Sequence, residues 1–246
     1  MRIKFDTHTH TIASSHAYST VSENASYAAR VGMDGFAVTE HAPAMPDAPH
    51  LWFFHNLKNL PRELYGQKLL VGAEVNILDL DGNLDLDSGI LSRLDVVNAS
   101  IHSPVYKNNG EPDHTSAYEA MVKDPYVDII CHSGSPSYAY DYEYIVKLAA
   151  EHNKLIEINN HSFFVRKTSI PNCKRIAELC KKYGTGIVVS SDAHFFTDIG
   201  NYTHALELLD EIDFPEELVM NTTYAKFEKF LTEARHKEPM AWRLEE

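Results

Sequence analysis

The chain has 246 residues, 44% of them hydrophobic and 23% charged, with a formal net charge of -13. That composition supplies a large core and excludes a disordered polymer, while the acidic balance argues against a nucleic-acid partner, because phosphate backbones bind surfaces rich in Lys and Arg. Residues 1–12 lack an apolar leader core and no stretch approaches the ~20 apolar residues of a membrane span, so a cytoplasmic protein with no membrane partner is expected. Cys131, Cys173 and Cys180 form no CxxC pair and read as structural thiols of a reducing compartment.

In chain order, short β-branched or apolar runs fall at residues 3–6, 35–39, 69–75, 96–100, 128–131, 155–158 and 187–190. These seven candidate strands alternate with amphipathic segments at 22–31, 116–122, 142–151 and 173–183. The alternation is the signature of βα units on a parallel sheet, and the length suits one α/β barrel. Pro171 and Asn172 mark the start of the last of these helices and Gly184 its end. Two stretches are irregular: 42–55, with Trp52, Phe53 and Phe54 among prolines, and 78–89, where Asp81-Gly82 reads as a hairpin turn. The aromatic loop either walls a cleft or packs on a neighbouring helix. Asp79, Asp81, Asp85 and Asp87 fit no calcium loop and read as a solvated ribbon. With no repeat or linker in view, residues 1–246 are expected to form a single domain.

The fourteen histidines are the anomaly, and their placement is not random. His8 and His10 follow the first strand, His16 lies in the loop beyond them, and His41 follows the second. Glu74 ends the third, His102 follows the fourth, His132 the fifth, and Asp192 with His194 the seventh. In a β/α barrel the loops after the strands converge on one face, so these nine residues would meet there. Residues two apart in extended chain point the same way, which lets His8 with His10, and Asp192 with His194, aim two ligands inward. Imidazole and carboxylate suit Zn2+, with Mn2+ or Fe as alternatives. Nine ligands exceed one ion, and Glu74 is the natural shared ligand of a multinuclear centre. Such a centre activates water and clamps the oxygens of an in-line displacement, which matches phosphate-ester hydrolysis.

Asp6-Thr-His8-Thr-His10, Thr39-Glu40-His41, His132 with its strand, and Ser191-Asp192-Ala-His194 resemble the four motifs of the PHP (polymerase and histidinol phosphatase) family. The run from Ala13 to Thr20, the segment from Asp47 to His50 and the stretch from Leu155 to Asn160 look closer still to its YcdX-type bacterial phosphatases. The resemblance implies a distorted seven-stranded (β/α)7 TIM-like barrel with three divalent metal ions, most commonly zinc, at its mouth. It implies that His8, His10, Glu74 and Asp192 hold one metal, His16, His41 and His194 a second, and Glu74, His102 and His132 the third. It further implies a small-molecule phosphomonoester as substrate and a metal-activated hydroxide as nucleophile. The sequence admits a homo-oligomer.

Two departures stand out. Glu40 replaces the family's usual Asp and reads as a structural carboxylate that bears on the orientation of His41. His132 is followed by Ser133-Gly134 where a proline is common. His161 and Arg166 lie on the same face as candidates for substrate binding, Arg166 by bidentate contact to phosphate. Cys131 is expected to point toward the helix layer, and His114, His152, His204 and His236 to be solvated. The rival readings are an amidohydrolase-like C–N hydrolase, whose barrels often carry a bridging lysine where this chain has Ser100-Ile-His102, and a metal-binding accessory domain without catalysis.

Overall fold

Seven parallel strands carry the architecture of this computed structural model, which describes residues 1–237. In chain order the strands and helices are β1 (Phe5–Thr9), α1 (Val21–Arg30), β2 (Gly35–His41), α2 (Trp52–Asn56), β3 (Glu63–Leu64), β4 (Gln67–Asn76), α3 (Ser88–Leu91), β5 (Val96–Ser100), α4 (Thr115–Lys123), β6 (Ile129–Ile130), α5 (Tyr142–Glu151), β7 (Leu155–Asn159), α6 (Ser162–Val165), α7 (Ile170–Tyr183), β8 (Ile187–Ser190), α8 (Thr203–Glu211) and α9 (Tyr224–Lys229). The parallel order is β1-β2-β4-β5-β6-β7-β8, and β3 adds a short antiparallel hairpin to β4. Each crossover packs a helix outside the sheet, giving the α/β barrel expected from the alternation in the distorted (β/α)7 form that the family resemblance implied. The end of the expected domain, 238–246, lies outside the described residues.

Strands that line a barrel alternate inward and outward side chains. Here the inward set changes character along each strand. Phe5, Ala37, Leu70, Val96, Ile129, Leu155 and Val188 form an apolar plug at the N-terminal end, sealed from below by Phe227 and Leu231. Two and four residues further on, the same parity gives Asn98 and Ser100, Glu157 and Asn159, Ser190 and Asp192. The core is therefore dry at the bottom and polar at the top. The outward set packs under the helices in a separate, larger apolar layer.

The local signals are visible in the caps. Thr20 and Glu23 form a capping box at the start of α1. Pro171 sits in the first turn of α7, and Gly184 ends it in the left-handed region at φ 72, where a Cβ would be strained. Asp81-Gly82 lies in the turn of a ribbon closed by an Ile77–Leu84 bridge. Asp87 caps α3, and Asp85 departs from the solvated reading: it is half-buried and accepts from the Asn76 amide side chain and the backbone of Asn76 and Ala44. The 42–55 loop holds α2, where Phe54 is buried but Trp52 is exposed on the surface.

Closing seven strands leaves a seam between β1 and β8. At the top the two edges pair directly: His10 N donates to Ala193 O at 2.9 Å and Asp192 N to His8 O at 3.0 Å. At the bottom they do not, and Asn221 fills the gap. Its amide donates to Phe5 O (2.8 Å) and Val189 O (2.6 Å) and accepts from Val189 N (3.0 Å), while its own carbonyl accepts from Phe5 N. One fully buried side chain thus satisfies backbone groups that a missing eighth strand would otherwise have paired.

Candidate metal centre

The C-terminal mouth of the barrel gathers all nine residues singled out by position. Glu74, at the end of β4, is the hub. Its Oε2 faces His8 Nε2 at 3.3 Å, His10 Nε2 at 3.5 Å and His41 Nδ1 at 2.9 Å, and its Oε1 faces His102 Nε2 at 3.3 Å and His132 Nε2 at 2.7 Å. Asp192 Oδ1 completes the first set, 3.6 Å from His8 Nε2 and 3.3 Å from His10 Nε2. His16 and His194 meet through their Nε2 atoms at 2.7 Å, with the His41 ring beside them.

The spacings of the first set fit a cation better than hydrogen bonds, whereas His41, His132 and the His16–His194 pair stand at 2.7–2.9 Å. With ligand bonds of ~2.0–2.2 Å, donors around one tetrahedral ion lie ~3.4 Å apart, and the four contacts linking His8 and His10 to Glu74 and Asp192 span 3.3–3.6 Å. The Nε2 atoms of His8, His10 and His102, His41 Nδ1 and Glu74 Oε2 are buried and make no hydrogen bond. Buried polar atoms are rarely left so, and here they are aimed at one another across a shared space.

The outer nitrogens are held in a consistent way. His8 Nδ1 donates to Glu157 Oε1 (2.7 Å), His16 Nδ1 to Asp47 Oδ2 (2.6 Å), His102 Nδ1 to Asn76 Oδ1 (2.8 Å) and His194 Nδ1 to Asp192 O (2.9 Å). Each acceptor fixes the proton on Nδ1 and turns the Nε2 lone pair inward, as in metal-bound histidines. Burial opposes charge on Glu74 and Asp192, yet His102, His8 and His41 around Glu74, and His8, His10 and Arg166 around Asp192, hold both well below the usual carboxylate range. Burial and the imidazoles of His41 and His194 push His10 well down, and burial with Arg166 takes His132 to about 4. Burial also opposes charge on His8 and His41, yet Glu74 beside them raises both, so a cation entering there displaces protons; ionised carboxylates and neutral imidazoles are the forms that bind cations.

The backbone helps to aim the donors. His132 (φ 28) and Asp192 (φ 54) both lie in the left-handed region, a strained place for a side-chain-bearing residue that is concentrated at functional sites. At His132 this breaks the strand alternation, which corrects the expectation for Cys131: it points into the barrel interior with Ile129, toward His8 and Glu157, and Ile130 is the residue that faces the helices. Gly134 is needed because a Cβ there would lie 2.6 Å from Cys173 Sγ. Glu40 is no ligand. It accepts from the amides and hydroxyls of Thr11 and Ser14, anchoring the loop that leads to His16, and burial raises its pKa against those hydrogen bonds.

Above the cluster opens a cavity of about 650 Å³ whose wall includes His161 and Arg166. His161 stacks on His194 with ring centroids 5.5 Å apart, and Arg166 Nη1 lies 3.4 Å from Asp192 Oδ2. Trp52, Phe53 and Phe54 do not line it; Met45 of the same loop does. His114 is a second correction. It is fully buried, edge-on to Tyr106 and Tyr138 behind the cavity wall, because those rings fold over a segment that is polar in sequence.

Glu157 was missed by reading histidines alone. It is buried and accepts from His8, Ser190 Oγ and His132 N, so it sets two donors at once. Its signal in sequence was a lone carboxylate in the apolar run 155–158. Burial works against its charge, but His8 and His132 keep its pKa below the ordinary value. Glu157→Gln is expected to weaken metal retention about 10–100-fold, the usual cost of losing an outer partner; chelator titration of the purified protein reads this directly, and unchanged retention would remove Glu157 from the centre.

The description PHP domain matches residues 6–233 of the chain. A probable phosphatase of Clostridium novyi (strain NT) is 47% identical over 232 residues, covering 94% of this chain and 95% of the relative. A probable phosphatase of Acetivibrio thermocellus is 46% identical over 237 residues, covering 96% and 98%. Among solved structures, histidinol phosphate phosphatase from Lactococcus lactis subsp. lactis, complexed with zinc, L-histidinol and phosphate, is similar with a TM-score of 0.57, covering 87% of this chain and 95% of that one. At 15% identity, that likeness speaks for the fold alone. No helix among the described residues is long and apolar enough to cross a membrane.

Proposed function

Because the chain belongs to the PHP domain family, we propose that it is a metal-dependent phosphatase of the YcdX type, cleaving a small phosphomonoester over a centre of three divalent cations. The observation that carries this reading is Glu74, whose two oxygens each face a separate group of imidazoles, the arrangement of a ligand shared between ions. His8, His10, Glu74 and Asp192 would hold one cation, His16, His41 and His194 a second, and Glu74, His102 and His132 a third. Nitrogen and carboxylate donors suit zinc, with manganese or iron as substitutes. When bound, such ions activate water and neutralise charge on a phosphoryl group.

The chain's own residues do the rest. Arg166 stands at the cavity wall beside Asp192, where its planar fork can grip phosphoryl oxygens. His161, stacked on His194, offers a ring nitrogen to the same substrate. Glu157, Asp47 and Asn76 keep the histidines from turning as substrate enters and leaves. The apolar plug beneath the cluster excludes water from below.

Elemental analysis beside turnover of 4-nitrophenyl phosphate tests the reading. About three metal equivalents per chain with metal-dependent phosphate release support it, whereas one equivalent with amide hydrolysis would shift the assignment to a C–N hydrolase. Arg166→Ala is expected to raise KM for phosphate esters roughly tenfold with metal content intact, since a charge-assisted contact is worth about 1.5–3 kcal/mol. Unchanged kinetics would take Arg166 out of substrate binding.

A further inference from the structure

The walls of the cavity carry information about the part of the substrate that is not phosphate. Among the described residues that line it, Asp192 is the only carboxylate, and its oxygens are already engaged. Oδ1 faces His8 and His10, and Oδ2 accepts from Asn159 Nδ2 (3.1 Å) and lies against Arg166. Arg166 is likewise the only lysine or arginine among the described lining residues. An ammonium group brought into this space would find no free counter-charge and would sit near a guanidinium, a costly burial. A second phosphate would have no second lysine or arginine among the described lining residues to meet it.

What the walls do offer is neutral. Ser103 and Ser137, exposed, and Ser135, half-buried, give the lining its lip, and their hydroxyls make no hydrogen bond among the described residues. The same lining holds Met45, Ile101 and the ring of Tyr138, whose hydroxyl is committed to Tyr106 O at 2.8 Å. Free hydroxyls beside apolar side chains and a ring match an uncharged group that carries its own hydroxyls on a carbon skeleton.

Resting on the phosphatase reading, we infer that the substrate class is the monophosphate ester of a neutral, hydroxyl-bearing alcohol of polyol or sugar type, selected by the serine lip against amine-bearing esters. The inference sets this chain apart from a fold neighbour whose structure holds the amino alcohol L-histidinol.

A matched pair tests it: 3-hydroxypropyl phosphate and 3-aminopropyl phosphate differ only in the terminal group. The hydroxyl ester is expected to have the higher kcat/KM by at least about tenfold, a step typical of one unpaired group in a shaped site. The corresponding phosphonates, which cannot be hydrolysed, should show the same order as competitive inhibitors. Ser137→Asp then places a carboxylate on the lip at an exposed position. It is expected to move the ratio at least about tenfold toward the aminopropyl ester. Equal turnover of the two esters by the parent protein, or a ratio that Ser137→Asp leaves in place, would overturn the inference while the phosphatase reading stands. Failure of the metal-loaded protein to cleave any phosphomonoester, 4-nitrophenyl phosphate included, would instead sink the phosphatase reading and the inference with it.

Discussion

Glu74→Gln protein is expected to emerge from purification with at least two of its metal sites depleted together, and with kcat/KM for phosphomonoesters lowered roughly 10³-fold or more, about 4 kcal/mol of barrier. The substitution keeps the shape of the side chain and changes its chemistry at one end. An amide nitrogen must then face either His102 and His132 or the group of His8, His10 and His41. In either orientation a hydrogen-bond donor points where a cation needs a lone pair, and the remaining oxygen carries less charge for the other ion. Elemental analysis on variant and parent, with circular dichroism to establish that both are folded, gives the answer. Loss of a single equivalent with the rest retained would contradict the bridge.

The second large effect lies at the opposite end of the barrel. Asp128, fully buried just before β6, accepts from Val97 N at 2.8 Å and from Arg235 Nε at 3.0 Å, and pairs with Lys237 as well. Lys154 is close by, its ammonium donating to the carbonyls of Asp124 and Val127. Burial, with Arg235 adding to it, lowers the Lys154 pKa to about 7, and Asp128 works the other way. Asp128→Ala would leave cations of the C-terminal segment without their counter-charge inside the protein, a change that typically costs about 3–5 kcal/mol. For a chain of this size that corresponds to a fall in Tm of roughly 10 °C. Thermal and urea unfolding measure it, and a loss below about 1 kcal/mol would mean that Asp128 is replaceable by water.

Much of this was legible before the fold was known, for a definite reason. A parallel barrel writes its active face into the sequence as donors at strand ends, so the positions of His8, His41, His102, His132 and His194 were enough to propose a common site. Resolution failed where backbone or tertiary context overrode periodicity. Cys131 and His132 both turn inward because the left-handed backbone of His132 cancels the alternation. β1 likewise runs on to Thr9, beyond the expected stop at residue 6, through a register shift between Asp6 and Thr9. Glu157 and Asn221 act through partners 149 and 216 positions away, which no local pattern encodes. α8 and α9 fell outside the expected helices, and His114 looked solvated because its burial depends on tyrosines from two separate loops.

The seam closed by Asn221 bears on how the barrel comes into being. Phe5 waits for a partner 216 residues downstream, among the most distant contacts the chain can make. On a ribosome, β1 leaves the tunnel first and remains with an unsatisfied lower edge until Asn221 has followed, many seconds later at ~5–20 residues per second. Contacts of such long range are slow to form and leave strand edges open in the meantime. The nascent barrel is therefore expected to finish at its bottom, with seam closure as the last step. Variants weakened at Asn221 would betray themselves in refolding yield before they do so in the activity of the protein that has succeeded in closing.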